Sequence, residues 1–342
     1  MRPTNNRRTT GMDAAEVQRR LHLPARMIAW LGDVHRPVGS SGPVLPNDVE
    51  ATDLMERLAV EPSDQAATLA ARPDPDVHPA LWWVLDRAYH DMLATMGEPP
   101  AGIGWPAVPA ATGPVGSHLL VWLCLAVLPA VRRYHADHSV SEEISWATLS
   151  SLGSELSKAR ELSGVSGLGA TWGLPRIFGG TNYRLGRLAF DRALPRPDPS
   201  DHPVLGPGQS GLNTHVPGGG GPLRPDACDD SFARAREFFP RRFPEQVVSF
   251  GCHSWLMDDQ LASFLPDSSN IIRFQRRFTR FTDREQADWA VLENLFRRRY
   301  EGPRVPAALL DELPQRTTLE RAIVTHLRGG HHWYNRTGWL QF

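Results

Sequence analysis

The run Pro217-Gly218-Gly219-Gly220-Gly221-Pro222 constrains the chain more than any other stretch. Its prolines flank four glycines that have no side chain to pack, so the run reads as a turn between two ordered elements. Before it, residues 212–216 read as a strand. After it, Pro225 suits the first position of a helix, where its missing N–H has no partner in any case. Cys228, Phe232, Ala235 and Phe239 then fall on one face of that helix. A further apolar run, residues 247–252, predicts a buried strand.

The rest of the second half keeps this alternation. Residues 181–190 alternate as a half-buried strand, and a Pro- and Asp-rich turn over 196–207 separates them from the 212–216 strand, with which they can form a hairpin. Asp258 is expected to cap a short helix that ends at Pro266. Residues 271–281 alternate, placing Ile272, Phe274, Arg276 and Phe278 on one strand face. Thr282-x-x-Glu285 reads as a capping box for a helix carrying Trp289, Leu292 and Phe296. Thr317-x-x-Glu320 reads as a second one, for a helix closed by Gly329 and Gly330. Residues 333–342 suit a last strand. The sum is an alternating pattern around a mixed sheet.

The first half is helical. Apolar residues at helical spacing mark residues 14–21, 49–58, 82–96, 118–134 and 141–161, the last with Ile144, Leu149, Leu152 and Leu156 as its stripe. Pro-rich connectors run over 72–79 and 98–114. The texture changes in a Gly-rich patch at Gly164, Gly167, Gly169 and Gly173. The expected fold class is therefore α+β (α/β-like), with a helical domain at 1–166 and a sheet domain at 167–342.

Composition narrows the function. The 342 residues carry a net charge of −1, which gives no electrostatic case for nucleic acid or an anionic membrane. Cys124, Cys228 and Cys252 are far apart and form no CxxC pair, which fits a reducing cytoplasm and disfavours a zinc knuckle. The polar opening, residues 1–11, has no secretory pattern. The apolar stretch 118–131 contains Pro129 and is too short to span a bilayer, so no membrane role is expected.

A strand, a glycine turn and a helix N-terminus form an anion site, because the first-turn N–H groups point outward and the helix dipole is positive there. Gly218, Gly219, Gly220 and Gly221 have that arrangement, and Arg224 can add a charged contact. A glycine run after a proline is more often a flexible surface turn. It lacks the lysine and hydroxyl of a nucleoside triphosphate loop.

The run from Leu212-Asn213-Thr214-His215-Val216 to Ala227-Cys228-Asp229-Asp230-Ser231 resembles the GNAT-like C-terminal domain of a bacterial two-domain acyltransferase family. So do Cys252-His253-Ser254-Trp255-Leu256-Met257-Asp258, Ser269-Asn270-Ile271-Ile272-Arg273-Phe274 and Tyr183-Arg184-Leu185-Gly186-Arg187-Leu188. The helical half, including Ser145-Trp146-Ala147-Thr148-Leu149, resembles that family's N-terminal domain. The resemblance implies a GNAT-like mixed sheet flanked by helices, acting as an N-acyltransferase. Acyl-CoA (acetyl-CoA or longer) is the implied co-substrate, with no metal, and a small-molecule or peptide amine is the implied acceptor. The pantetheine arm is expected between the 212–216 and 247–252 strands. The pyrophosphate is expected on the loop, at Val216, Gly218, Gly219, Gly220, Gly221, Leu223 and Arg224. Val216 or Pro217 stands where the family loop has a polar residue, which leaves an acyl carrier protein as an alternative donor.

Acyl transfer needs a base for the amine and can use an acid for the departing thiolate. His215, at the end of its strand, is the first candidate base; His253 and Ser254, at the end of the other, are the second. Each histidine also reads as a hydrogen-bonded structural residue. Asp258 either orients a histidine or caps its helix. Cys252 and His253 are neighbours on a strand and point to opposite faces, so they cannot act as a pair. Two rival readings stay open: a non-catalytic binding protein on the same scaffold, and a metal-dependent hydrolase using His215, His253 and His331.

Overall fold

The computed structural model describes residues 12–24, 41–99, 108, 112–168, 173–193 and 209–342. The turn expected at 196–207, the polar opening 1–11 and Gly169 lie outside the described residues, as does most of the 98–114 connector. The chain forms two compact units, Met1–Asn182 and Tyr183–Phe342.

In the first unit the helix Leu119–Asp137 is apolar on all sides over residues 119–128, and that part is buried accordingly. Val121, Trp122, Cys124, Val127 and Val131 have no accessible surface. By length and composition this helix could cross a membrane, but its apolar side chains are the core of the unit. It packs against Pro79–Ala94, which starts with proline at the first position. Asp48–Arg57 opens with a complete capping box between Asn47 and Glu50. Pro62–Ala70 is a helix that the sequence reading did not single out. The expected helix over 141–161 is two, Glu142–Leu149 and Ser151–Ser163, that meet at Ser150. Leu149, Leu152 and Leu156 are fully buried. Leu168, Leu174, Ile177 and Phe178 also belong to this core.

The second unit is built on a sheet of order β1-β2-β3-β4-β7-β5, with β6 also paired to β7. The strands are β1 (Asn182–Leu185), β2 (Leu188–Asp191), β3 (Gln209–His215), β4 (Gln246–Ser254), β5 (Thr279–Arg280), β6 (Glu285–Gln286) and β7 (Tyr334–Gln341). β3 and β4 are parallel, joined through the helix Pro225–Arg242, and β2–β3 and β4–β7 are antiparallel. Phe190, Leu212 and Phe250 share one face, where Phe232 of the helix meets Phe190 and Phe250 at ring centroid distances of 5.8 and 4.9 Å. A second core gathers Leu261, Ile272, Val291, Leu292, Ile323 and Trp333.

Three expectations change. Residues 181–190 are a hairpin rather than one strand, because Gly186 takes φ +79° and turns the chain. Residues 271–281 begin as helix (Asn270–Gln275), since the Ser269 hydroxyl caps Ile272 N–H; only Thr279–Arg280 is strand. Glu285 caps nothing and pairs in β6, so the helix of Leu292 and Phe296 begins later, at Asp288.

His135 of the first unit is buried, 2.7 Å from the Ser145 hydroxyl, and burial pulls its pKa down to about 4. The unfolded chain binds a proton there at the ordinary histidine value near 6.5, whereas the folded chain does not. Stability is therefore full above pH 6.5 and falls as pH drops toward 4, by roughly 3 kcal/mol for a shift of this size. Melting curves between pH 7 and 4 should show the loss, and His135→Gln should flatten that part of the profile.

Candidate active site

The site starts where β3 and β4 part. They stay in register from Gln209↔Gln246 to Asn213↔Gly251, with one irregularity after Ser210, and pair no further. Beyond that point Thr214 and His215 pair only with Phe190 and Ala189 of β2. Cys252, His253 and Ser254 pair only with Gly338, Thr337 and Arg336 of β7. The main-chain groups that the two strands turn toward each other past Gly251 thus lack strand partners, which a buried backbone does not tolerate without a substitute. The Thr214 hydroxyl, buried beside this opening, makes no hydrogen bond.

The registers assign faces. Asp191, Asn213, His215, Gly251, His253 and Thr337 lie on the face opposite the Pro225–Arg242 helix. His215 Nε2 stands 2.6 Å from Asp191 Oδ2 and 3.2 Å from Asn213 Nδ2. The carboxylate is buried, while the imidazole is 39% exposed. An Nε2–H donated to Asp191 leaves the Nδ1 lone pair for a proton from outside, the division of labour of a histidine oriented by an acid. Asp191 is thus a buried carboxylate at the opening, beside the first candidate base.

His253 stands on the other lip. Its Nδ1 is 2.8 Å from Thr337 Oγ1 and its Nε2 is 3.3 Å from Glu285 Oε2. Thr337 Oγ1 donates to Asp283 Oδ2 at 2.6 Å. The Ser254 hydroxyl accepts from Leu256 N–H and so caps a short turn. Asp258 also caps: it accepts from Gln260 and from Tyr334 N–H, and burial raises its carboxyl above the usual range. Cys252 is buried on the helix side of the sheet, and burial pushes its thiol up to about 12. His331 stacks on His326 at 5.0 Å. Among the described residues no group of three metal-ligating side chains forms, so His215, His253 and His331 do not make a metal centre.

Below the parted strands lies the glycine turn. Gly219 and Gly221 have φ of +75° and +77°, and open space surrounds Gly218, Gly219 and Gly221. Gly220 differs: a Cβ there would stand 3.0 Å from Arg184 Nη2 and 3.1 Å from Arg187 Nη1. Arg187 donates to Gly221 O at 2.9 Å and to Pro217 O at 3.0 Å, tying both ends of the turn to the β1–β2 hairpin. Its partial burial lowers the guanidinium pKa from the ordinary value. The helix that follows has no side-chain cap at Arg224, and Leu223 is buried. Arg224 itself is exposed and paired with Asp226, whose carboxyl it holds below the usual range. Arg277 approaches the same helix end, donating to Pro225 O and Asp229. Asp191, Asp283, Glu285, Arg184 and Arg187 are additions to the sequence-derived site. Their signal lies in strand register, which the bare sequence does not carry.

Residues 49–180 match the N-acyltransferase N-terminal domain family, and residues 182–340 match the GNAT-like C-terminal domain family. Among solved structures, an acyltransferase in complex with decanoyl-CoA is 39% identical, with a TM-score of 0.86 over 97% of this chain and 100% of that one. An acyltransferase in complex with decanoyl-CoA and teicoplanin is 38% identical, with a TM-score of 0.83 over 96% and 99%. A mutant acyltransferase in complex with octanoyl-CoA is 38% identical, with a TM-score of 0.84 over 97% and 100%. Comparison with curated protein sequences gives no significant match.

The assignment of faces can be checked on the cysteines, all three of which are buried and free. At pH 8 a small thiol reagent should leave Cys252 unmodified in the folded protein and modify it after denaturation. Rapid labelling of folded Cys252 would mean that its side chain lies on the histidine face.

Proposed function

The chain belongs to the acyltransferases that join an N-acyltransferase N-terminal domain to a GNAT-like C-terminal domain, and on that premise we propose how its residues move an acyl group from acyl-CoA to an amine. The observation that carries the reading is the parting of β3 from β4, with His215 and Asp191 at its mouth and the glycine turn at the end of β3. The unpaired main-chain groups of the two strands suit the amides of a pantetheine arm. The pyrophosphate lies over Gly218–Gly221, between Val216 and Leu223, where loop and helix N–H groups are available. Arg224 reaches a phosphate only by leaving Asp226.

His215 Nδ1 takes the proton of the attacking amine as the nitrogen adds to the thioester carbonyl carbon. The tetrahedral adduct then expels the CoA sulfur, and an amide remains. Asp191 holds the ring in the tautomer that presents Nδ1 and stabilises the imidazolium that forms. Similar structures hold octanoyl-CoA or decanoyl-CoA, and one also holds teicoplanin. This supports a medium-chain donor and an amine on a glycopeptide as acceptor. Three buried thiols without a disulfide support a reducing, cytoplasmic setting.

Melting temperature with CoA, acetyl-CoA and decanoyl-CoA tests the donor: a ligand at ~100 times its dissociation constant adds about 2.7 kcal/mol. A larger shift for decanoyl-CoA than for acetyl-CoA is expected; no shift with any of them would move the donor to a carrier-bound thioester. His215→Ala should lower kcat for amide formation about 10²- to 10⁴-fold without weakening decanoyl-CoA binding. Gly220→Val should do the reverse, raising the dissociation constant for decanoyl-CoA at least tenfold by displacing Arg187. Unchanged kcat in the first variant, or unchanged binding in the second, removes that residue from the assignment.

A further inference from the structure

The two histidines on the lips of the opening differ in what their ring nitrogens touch. His215 has one carboxylate partner, on Nε2. His253 has an acceptor on each nitrogen. Thr337 has a single hydroxyl proton, and its 2.6 Å contact with Asp283 Oδ2 uses it, because an ionised carboxylate has none to offer. Thr337 Oγ1 is therefore an acceptor toward His253, and the 2.8 Å contact requires Nδ1–H. Glu285 Oε2 is likewise acceptor-only when ionised, so the 3.3 Å contact requires Nε2–H. An acceptor facing each ring nitrogen is the arrangement that suits an imidazolium. Asp283 Oδ2, 3.8 Å from Nδ1, adds a second negative charge beside it. Asp283 is itself fixed, accepting from Thr337 N–H at 3.1 Å.

We propose that His253 is the general acid of the transfer, protonating the departing CoA sulfur, an assignment that rests on the acyl-transfer reading above. His253 and His215 stand two residues past the last β3–β4 pair, on the same face of the sheet and on opposite sides of the opening. A thioester lying between the strands presents its carbonyl carbon to the amine at His215 and its sulfur toward β4. As the C–S bond breaks, its electron pair goes to sulfur, and sulfur takes the Nε2 proton, whose contact with exposed Glu285 is the longer of the two. His253 is left neutral with Nδ1–H still held by Thr337. The proton removed by His215 and the one supplied by His253 both exchange with water, so the cycle closes with amide and CoA thiol. Cys252 cannot serve in this role from the other face, and Ser254 is engaged as a cap.

The test compares two donors carrying the same acyl chain: decanoyl-CoA, and a decanoyl aryl thioester whose acidic thiol leaves without a proton. His253→Gln should lower kcat with decanoyl-CoA by about 10²-fold and leave kcat with the aryl thioester near the parent value. Glu285→Gln, a substitution of an exposed side chain, should give a smaller loss with the same selectivity, and serves if His253→Gln does not fold. His215→Ala should lose rate with both donors, since the amine needs its base whichever thiol leaves. Equal losses with both donors in His253→Gln and in Glu285→Gln, or no loss in either, overturn the acid assignment and leave the base and donor site intact. A parent protein that transfers from neither donor overturns the underlying reading and this assignment with it.

Discussion

Everything in the catalytic half depends on two strands that cannot stay together. β2 holds β3 as far as His215, and β7 holds β4 as far as Ser254, each by a continuous antiparallel ladder. The parallel pairing between them stops earlier, at Asn213 and Gly251, two residues short on β3 and three short on β4. The outer partners thus prevent collapse, and the gap is a consequence of hydrogen bonding that is satisfied elsewhere. A loop could leave such a gap by being mobile. Here it is built into the sheet.

The two faces of that sheet are used differently. One carries Phe190, Leu212, Phe250 and Cys252 and is sealed by Phe232 and Phe239 from the Pro225–Arg242 helix. Aromatic packing of this kind contributes stability and fixes the helix axis, and with it the direction of the first-turn N–H groups. The other face carries Asp191, His215, His253, Thr337 and, through Thr337, Asp283. Strand alternation alone separates an apolar support from a polar working surface one residue away.

The sequence carried more of the fold than of the site. Burial of Cys228, Phe232, Ala235 and Phe239 followed from helical spacing, and the cap at Thr317 followed from a local motif. These depend on neighbours within about one turn of helix, and so a linear reading finds them. His215 and His253 were legible as polar residues at strand ends. Their partners were not, because Asp191 meets His215 across 24 positions of chain and Thr337 meets His253 across 84. Pairing register decides both. The same limit explains the error at Glu285, where a local capping motif lost to a long-range pairing with Asn335. At 271–281 the alternation of Ile272, Phe274 and Phe278 also fits one side of a short helix followed by a turn, and the Ser269 cap decided between them.

Arg187 holds the glycine turn by two of its carbonyls, at Pro217 and Gly221. Ordering a flexible loop normally subtracts from affinity, and that subtraction grows with the freedom the loop has to lose. A turn already fastened at both ends has little left to surrender when an anion arrives. With the donor seated there as proposed, its capture should proceed at a rate set by encounter rather than by loop closure, and nearly independent of solvent viscosity beyond the diffusive part. Four glycines in succession, the composition of a floppy linker, are here fastened at both ends by one side chain.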